Sequence, residues 1–210
     1  MSHPHTPRRP RSLAGKAAIV TGAGSAGTGI GNGRASAILL AEDGCAVLCV
    51  DQDAALAAAT VDMIASAGST SASFGPAAAC AADVSSPAEC ERVVHAALRR
   101  FGRVDILVNN VGILGAPGDA TAVAPDGWDR GMRVNVASMV WMAKHAVPAM
   151  LRNGPAGGSV VNVGSVAGLG GGQSDLLYPV SKGAVVNLTR SMAWQHGPAG
   201  VRVNCVCPGG

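Results

Sequence analysis

Apolar residues arrive in short runs that glycines and small polar residues interrupt. Residues 16–21 end in Ile19-Val20-Thr21 and are stopped by Gly22, the pattern of a short buried strand. Glycines then crowd the chain at positions 22, 24, 27, 29, 31 and 33, and residues 34–41 read as a helical stretch ended by Gly44. A second apolar run over 46–50 closes on Asp51. Small residues over 77–82 lead into Asp83-Val84, after which Ser85, Ser86 and Pro87 supply helix-opening chemistry. Val93, Val94, Ala97 and Leu98 fall at helical spacing within 88–101, and residues 105–112 predict the next strand and its exit. Two long helices are predicted over 126–151 and 176–196, with strands over 158–165 and 201–207. Strands alternate with helices throughout, which predicts α/β: a doubly wound parallel sheet in three layers, α/β/α.

Composition narrows this picture. A chain of 210 residues is expected to form one domain with a sizeable core. Its 48% hydrophobic and 14% charged content suits strands covered on both faces. No apolar run approaches the length of a membrane helix, so no membrane partner is expected. Residues 1–12 predict a disordered basic, Pro-rich tail, with Arg8, Arg9 and Arg11 and no apolar stretch of the signal-peptide kind. Those arginines account for the formal charge of +3, so the globular part, 13–210, carries no net charge arguing for nucleic acid. Cys45, Cys49, Cys80, Cys90, Cys205 and Cys207 are scattered and form no Cys-x-x-Cys. They read as small core residues in a reducing, cytoplasmic compartment. The five histidines show no ligand spacing, so no metal site is expected.

Chemistry enters with the order of elements. Strand, glycine turn, helix, strand and acid is the dinucleotide-binding, Rossmann-type order. Glycines let the backbone approach a pyrophosphate, whose charge meets a helix N-terminus. Asp51 would accept hydrogen bonds from ribose hydroxyls and repel a 2′-phosphate, which favours NAD over NADP. Taken alone, it reads better as a solvated strand-end carboxylate. Tyr178 and Lys182 stand four apart, so on a helix they share a face. A phenol ionises near pH ~10, and a nearby ammonium favours the phenolate. Ser165, thirteen residues upstream of Tyr178, could hydrogen-bond the reacting oxygen. Any helix carrying a Tyr and a Lys shows this spacing by chance, so the pair gains weight only from the rest of the chain.

From about Lys16 onward the chain resembles the short-chain dehydrogenases/reductases. Thr21-Gly22-Ala23-Gly24-Ser25 is similar to the opening of that family's Thr-Gly-x-x-x-Gly-x-Gly motif. The last two glycines fit best as Gly31 and Gly33, which leaves residues 26–30 as an insertion; an alternative register uses Gly29 and Gly31. Residues 109–112, Asn-Asn-Val-Gly, resemble the family's Asn-Asn-Ala-Gly, with Val111 replacing Ala. The resemblance implies cofactor contacts from Gly22, Ser25, Gly31, Gly33, Asp51, Asp83, Val84, Asn110, Gly112, Tyr178, Lys182, Pro208 and Gly209. It implies catalytic roles for Asn135, Ser165, Tyr178 and Lys182, with Gly164 where the family commonly has a further serine.

Together these features predict an NAD-dependent oxidoreductase acting on a small secondary alcohol or ketone, with Tyr178 exchanging the proton. The rival expectation is a non-catalytic nucleotide-binding or scaffold protein, or an inactive fragment. Residues 173–177 are candidates for the far wall of a substrate pocket, without identifying a ligand. Pairing of the two long helices into a homodimer or homotetramer is expected by resemblance, with Val136, Met139, Val140, Ala143 and Val147 as an apolar stripe. The final strand is expected to need cover on both faces, and the chain to be C-terminally short relative to the family and handicapped by it.

Overall fold

The computed structural model describes residues 12–26, 29–69 and 73–209. The basic tail expected over 1–12 therefore lies outside the described residues except for Ser12. Six strands form one sheet: β1 (Ala17–Thr21), β2 (Ala46–Asp51), β3 (Ala77–Ala81), β4 (Ile106–Asn109), β5 (Gly158–Val163) and β6 (Val201–Val206). Their order is β3-β2-β1-β4-β5-β6, and every pairing is parallel. The chain thus winds outward from β1 to β3, crosses back to β4, and winds outward again. The Rossmann-type reading of the sequence holds.

Helices α1 (Asn32–Glu42) and α2 (Ala54–Gly68) cover one face. The opposite face carries α3 (Pro87–Phe101), α5 (Ser138–Leu151) and α6 (Leu177–His196), while a short α4 (Pro125–Met132) precedes α5. Side chains that alternate along the strands feed two cores. Ala18, Val20, Val47, Cys49 and Val108 pack with Ala37 and Ala41 of α1 and Ile64 of α2. Ile19, Leu48, Val50, Leu107, Val160 and Val203 meet Val93 of α3, Met142 and Met150 of α5, and Met192 of α6. Each fully buried side chain of this size stabilises the fold by about 1.5–3 kcal/mol before entropy is counted. The helix that the pattern did not single out, α2, starts where Asp53 accepts from the Ala55 and Leu56 N–H groups, a side-chain N-cap.

One expectation about an apolar face needs correcting. Met139, Ala143 and Val147 of the supposed pairing stripe are 1%, 5% and 5% exposed, packed inward, and only Val140 of that group is markedly exposed. The cause is helical: residues 139, 143 and 147 lie one turn apart on the face that meets the sheet. β6, expected to need cover on both faces, is covered on one. Val201 and Val203 are buried, but Arg202 and Asn204 point the other way and are exposed. Above β4 and β5 on that second face lies an open apolar groove of about 420 Å³, walled by Leu39, Leu40, Ile106, Val108, Val161 and Val163.

At the opposite end of the sheet from the strand exits, Asp105 pins β4 to β1. Its carboxylate accepts from Arg103 at 2.6 and 2.7 Å, from Lys16 at 3.1 Å and from the Ala17 N–H at 3.0 Å. Burial by itself would raise the Asp105 carboxyl, but the bonds from Arg103, the Ala17 amide and Lys16 outweigh it and hold it below the ordinary range. A carboxylate held low adds stability above its unfolded value, about 3.9, and loses that contribution as pH falls through the folded one. Asp105→Asn is therefore expected to cost about 1–3 kcal/mol at pH 7. Urea unfolding should show the gap between variant and wild type closing on acidification below the carboxylate range; a gap independent of pH would contradict this account.

Candidate active site

The strand order reverses between β1 and β4, and an α/β sheet opens a crevice beyond the carboxyl ends of its strands at that point. Two adjoining clefts lie there. The larger, about 490 Å³, is bordered by Gly22, Asp51, Asp83, Val84, Val111 and Arg133 among others. The smaller, about 230 Å³, is bordered by Ser165, Tyr178, Lys182 and Pro208. Asn110, Gly112 and Ile113 belong to both, so the two form one trough running from the acidic end to the tyrosine.

The floor at the acidic end is a set of glycines with no room for a side chain. A Cβ on Gly33 would sit 2.0 Å from the Gly22 carbonyl oxygen, and one on Gly24 would sit 2.7 Å from the Asp51 carboxylate. Gly22 itself has φ +62°, a conformation that other residues rarely adopt. The N-terminus of α1 is thereby pressed against the exit of β1. Of the two glycine registers, this close approach belongs to the one using Gly31 and Gly33. Gly31 is the N-cap of α1, whereas a Cβ on Gly29 would meet nothing within 4 Å. Residues 27 and 28 of the enlarged loop lie outside the described residues. Asp51 Oδ2 accepts from the Gly24 N–H at 3.0 Å, and Oδ1 from the Asp53 N–H at 3.1 Å.

Paired amides tie the trough together. Asn110 donates to the Gly22 carbonyl at 3.0 Å, and its own N–H donates to Thr21 Oγ1 at 3.1 Å. Asn109 donates to Asn162 at 2.9 Å, and Asn162 in turn to Thr189 of α6 at 3.0 Å. Both amides of the Asn-Asn pair thus brace the sheet.

Asn135 sits where the helix pattern breaks. Residues Arg133–Ala137 form a π-helical turn between α4 and α5, a type of irregularity frequent at functional sites. The side chain is fully buried. Its Oδ1 accepts from the Ile113 N–H at 2.8 Å, and its Nδ2 donates to the Ile113 carbonyl at 2.8 Å and to Ser181 Oγ at 2.9 Å. Ser181 then donates to the Tyr178 carbonyl at 2.8 Å. One amide therefore fixes the exit of β4 and the first turn of α6 together.

On α6, Tyr178 is half-buried and Lys182 is 3% exposed. The Lys182 ammonium lies 5.7 Å from the centre of the tyrosine ring and donates to the Val163 carbonyl at 2.9 Å. Burial pushes that ammonium below the ordinary lysine range, an effect that the thiols of Cys205 and Cys207 oppose. Gly112 gives it room, since a Cβ there would come within 3.1 Å of Nζ. Ser165 is 9% exposed, and its Oγ accepts from the Ala167 N–H at 3.2 Å.

The structure thus brings Ser165, Tyr178 and Lys182 to one cleft, with Asn135 beneath it. Gly22, Asp51, Asp83, Val84, Asn110, Gly112 and Pro208 also line the trough. Ser25, Gly31, Gly33 and Gly209 border neither cleft; Ser25 Oγ donates to the Gly29 carbonyl at 2.9 Å. Residues 173–177 do not wall it either. Asp175 accepts from the Gly118 N–H at 2.9 Å, and Leu177 is fully buried against Gly115 and Gly131. Sequence reasoning passed over Asn32 in the smaller cleft and Gln52, Arg130 and Arg133 in the larger. The i, i+3 spacing of the two arginines was the available signal. It also passed over Arg34, a buried cation that donates to Thr60 Oγ1 at 3.0 Å, while Thr60 donates to the Ala23 carbonyl at 2.7 Å. Among the described residues no cluster of three or more His, Cys, Asp or Glu is placed to hold a metal, and no helix is long and apolar enough to cross a membrane.

Comparison with known proteins agrees with this architecture. The family described as short chain dehydrogenase matches residues 16–210. An uncharacterized oxidoreductase of Thermotoga maritima is 40% identical over 195 residues, spanning 93% of this chain and 71% of the relative. The meso-2,3-butanediol dehydrogenase of Serratia marcescens is 37% identical over 193 residues, 92% of this chain and 70% of that one. The crystal structure of an NAD+-bound xylitol dehydrogenase superimposes with a TM-score of 0.83 at 31% identity, covering 93% of this chain and 70% of the other. At these identities, and over that much of each relative, the chain belongs to the short-chain dehydrogenase/reductase family.

Proposed function

We propose that this protein transfers a hydride between NAD and a small secondary alcohol or its ketone. The observation that carries the proposal is the placement of Tyr178, Lys182 and Ser165 around one cleft that continues into the glycine- and Asp51-lined trough. The trough fits a dinucleotide: a Cβ would fill the turn at Gly24 or Gly33, and Asp51 presents a carboxylate at the end of β2. Gly22, Asp51, Asp83, Val84, Asn110 and Gly112 would hold the adenosine side, with Lys182, Pro208 and Gly209 toward the nicotinamide side. When bound, the nicotinamide supplies or takes up the hydride.

The chain's own residues handle the proton. Tyr178 Oη gives a proton to a ketone oxygen, or removes one from an alcohol, as general acid or base. The Lys182 ammonium lies beside the ring, 5.7 Å from its centre, and places a positive charge at the tyrosine end of the trough. Ser165 Oγ hydrogen-bonds the substrate oxygen and aims it at Tyr178. Asn135 is a positioning residue, because it acts through Ile113 and through Ser181 rather than on substrate. NAD rather than NADP is favoured because a 2′-phosphate beside Asp51 would place like charges together. The xylitol dehydrogenase structure with NAD+ bound supports that choice by analogy. Meso-2,3-butanediol and xylitol dehydrogenases among its relatives and neighbours support an alcohol as the substrate class. Pairing into a homodimer or homotetramer remains part of the proposal, with exposed Val140, Val180 and Trp194 on α5 and α6 as the surface to test.

Tyr178→Phe keeps the ring and removes the hydroxyl, so kcat is expected to fall about 100- to 10,000-fold with NAD affinity nearly unchanged. Lys182→Ala should impair both, because it stands between Tyr178 and the cofactor side. Steady-state kinetics with a panel of secondary alcohols, beside NAD titration, checks this; a Tyr178→Phe protein with most of its turnover would reject the proton-transfer role. Asp51→Ala should weaken NAD about 10- to 100-fold, the loss of hydrogen bonds to a charged group, and narrow the preference over NADP. Tighter binding of NADP to the unaltered protein would overturn the cofactor assignment. Light scattering should find a dimer or tetramer that Val180→Glu weakens, and a strict monomer at high concentration would count against pairing.

A further inference from the structure

Two of the six cysteines differ from the rest in placement. Cys45, Cys49, Cys80 and Cys90 are buried in the cores, whereas Cys205 and Cys207 are half-buried, one at the end of β6 and one just beyond it. Their sulfurs lie 3.7 Å apart. The space they share exists because of a missing side chain: a Cβ on Gly164 would come within 2.9 Å of one sulfur and 3.0 Å of the other. The glycine that stands where the family commonly has a serine is therefore what lets the two thiols face each other.

The same short stretch holds the catalytic loop. The Val206 carbonyl accepts from the Gly164 N–H at 2.8 Å, and the Pro208 carbonyl accepts from the Val166 N–H at 3.1 Å. Those two bonds bracket Ser165. A disulfide requires its sulfurs about 2.05 Å apart and its Cα atoms within about 6.8 Å. Residues two apart on an extended strand span roughly 6.6 Å, at the limit of that range. Closing the bond has to draw the sulfurs in from 3.7 Å, and the displacement falls on Val206 between them, the residue whose carbonyl holds Gly164.

We propose that Cys205 and Cys207 form a modification site behind Gly164, which lines the smaller cleft: a dithiol that closes to a disulfide and releases the Ser165 loop from β6. With hydrogen peroxide as oxidant, one sulfur attacks the peroxide and the O–O bond breaks, giving a sulfenic acid and water. The second sulfur then attacks the first, forming the S–S bond and expelling a second water. The two sulfurs lose two electrons in all, the peroxide gains them, and both thiol protons end in water. A dithiol reductant reverses the step by exchange. The core thiols serve as internal controls, since burial pushes Cys45, Cys49 and Cys90 up to about 12, where the reactive thiolate is scarce. Burial, and then the contact with Cys207, also raises the Cys205 thiol, but unlike the core thiols it has a second sulfur within 3.7 Å.

The test uses the full chain, treated with peroxide and then alkylated under denaturing conditions. Cleavage after Arg202 yields one peptide containing both sulfurs. It is expected to be lighter by two hydrogens and refractory to alkylation, to regain both thiols after dithiothreitol, and to stay open in Cys205→Ser. Amide hydrogen exchange at Gly164 and Val166 should accelerate at least several-fold in the oxidised protein and return on reduction. A peptide still fully alkylatable when a free model thiol is consumed would overturn the site, as would sulfinic acid in place of the disulfide. A disulfide that leaves exchange at Gly164 and Val166 unchanged would overturn its link to the loop. Neither readout depends on turnover, so a failure here is distinguishable from a failure of the oxidoreductase reading.

Discussion

The buried amide of Asn135 is the contact on which the arrangement of the site depends. It meets both the N–H and the carbonyl of Ile113, and reaches Ser181 with its remaining donor hydrogen. An unpaired amide in the interior would cost roughly 1–3 kcal/mol, so the site is stable only with all three partners in place. That requirement couples the exit of β4, which lines the trough, to the first turn of α6, which carries Tyr178. The π-helical turn at Arg133–Ala137 lies at the same point. Regular α-helical geometry is given up where the side chain must reach two other elements at once.

A second constraint is the closeness of α1 to β1. Gly33 lies so near the Gly22 carbonyl that no side chain fits between them, and Asn110 secures the same carbonyl from the other side. The N-terminus of α1 is thereby held at the exit of β1, where Asn32 borders the smaller cleft. Asp51 is held at the next strand end by the backbone of Gly24 and Asp53. Its position is consequently a property of the glycine turn as much as of β2.

At the other end of the trough, charge and burial oppose each other. Lys182 is almost fully enclosed, which disfavours its ammonium, and its hydrogen bond to the Val163 carbonyl is one means by which the charged form is kept. The two thiols of the β6 exit bear on the same ammonium. The end of β6 therefore does more than complete the sheet: through Val206 and Pro208 it holds the serine loop, and through its sulfurs it enters the electrostatics of the lysine.

The order of strands and helices was legible in the chain, because buried parallel strands require apolar runs and crossover helices require polar breaks between them. Residues 16–21, 46–50 and 158–165 read as strands for that reason, and the spacing of Tyr178 and Lys182 on one helix is likewise a local property. Asp51 was legible as an acid following a strand. The partners of Asn135 were not, since a hydrogen bond from Asn135 to Ile113 leaves no trace in the local pattern of either segment. The stripe over Val136–Val147 misled for a related reason: helical periodicity identifies an apolar face without saying whether a sheet or another subunit meets it. Likewise, Asp175 and Leu177 border Tyr178 in sequence yet turn toward Gly118 and toward Gly115 and Gly131 respectively. Sequence by itself determined the elements, their order and the local chemistry each could carry, because these follow from near-neighbour sterics and burial. Only the tertiary structure decided which of them converge, because convergence is set by packing and by the satisfaction of buried polar groups between segments distant along the chain.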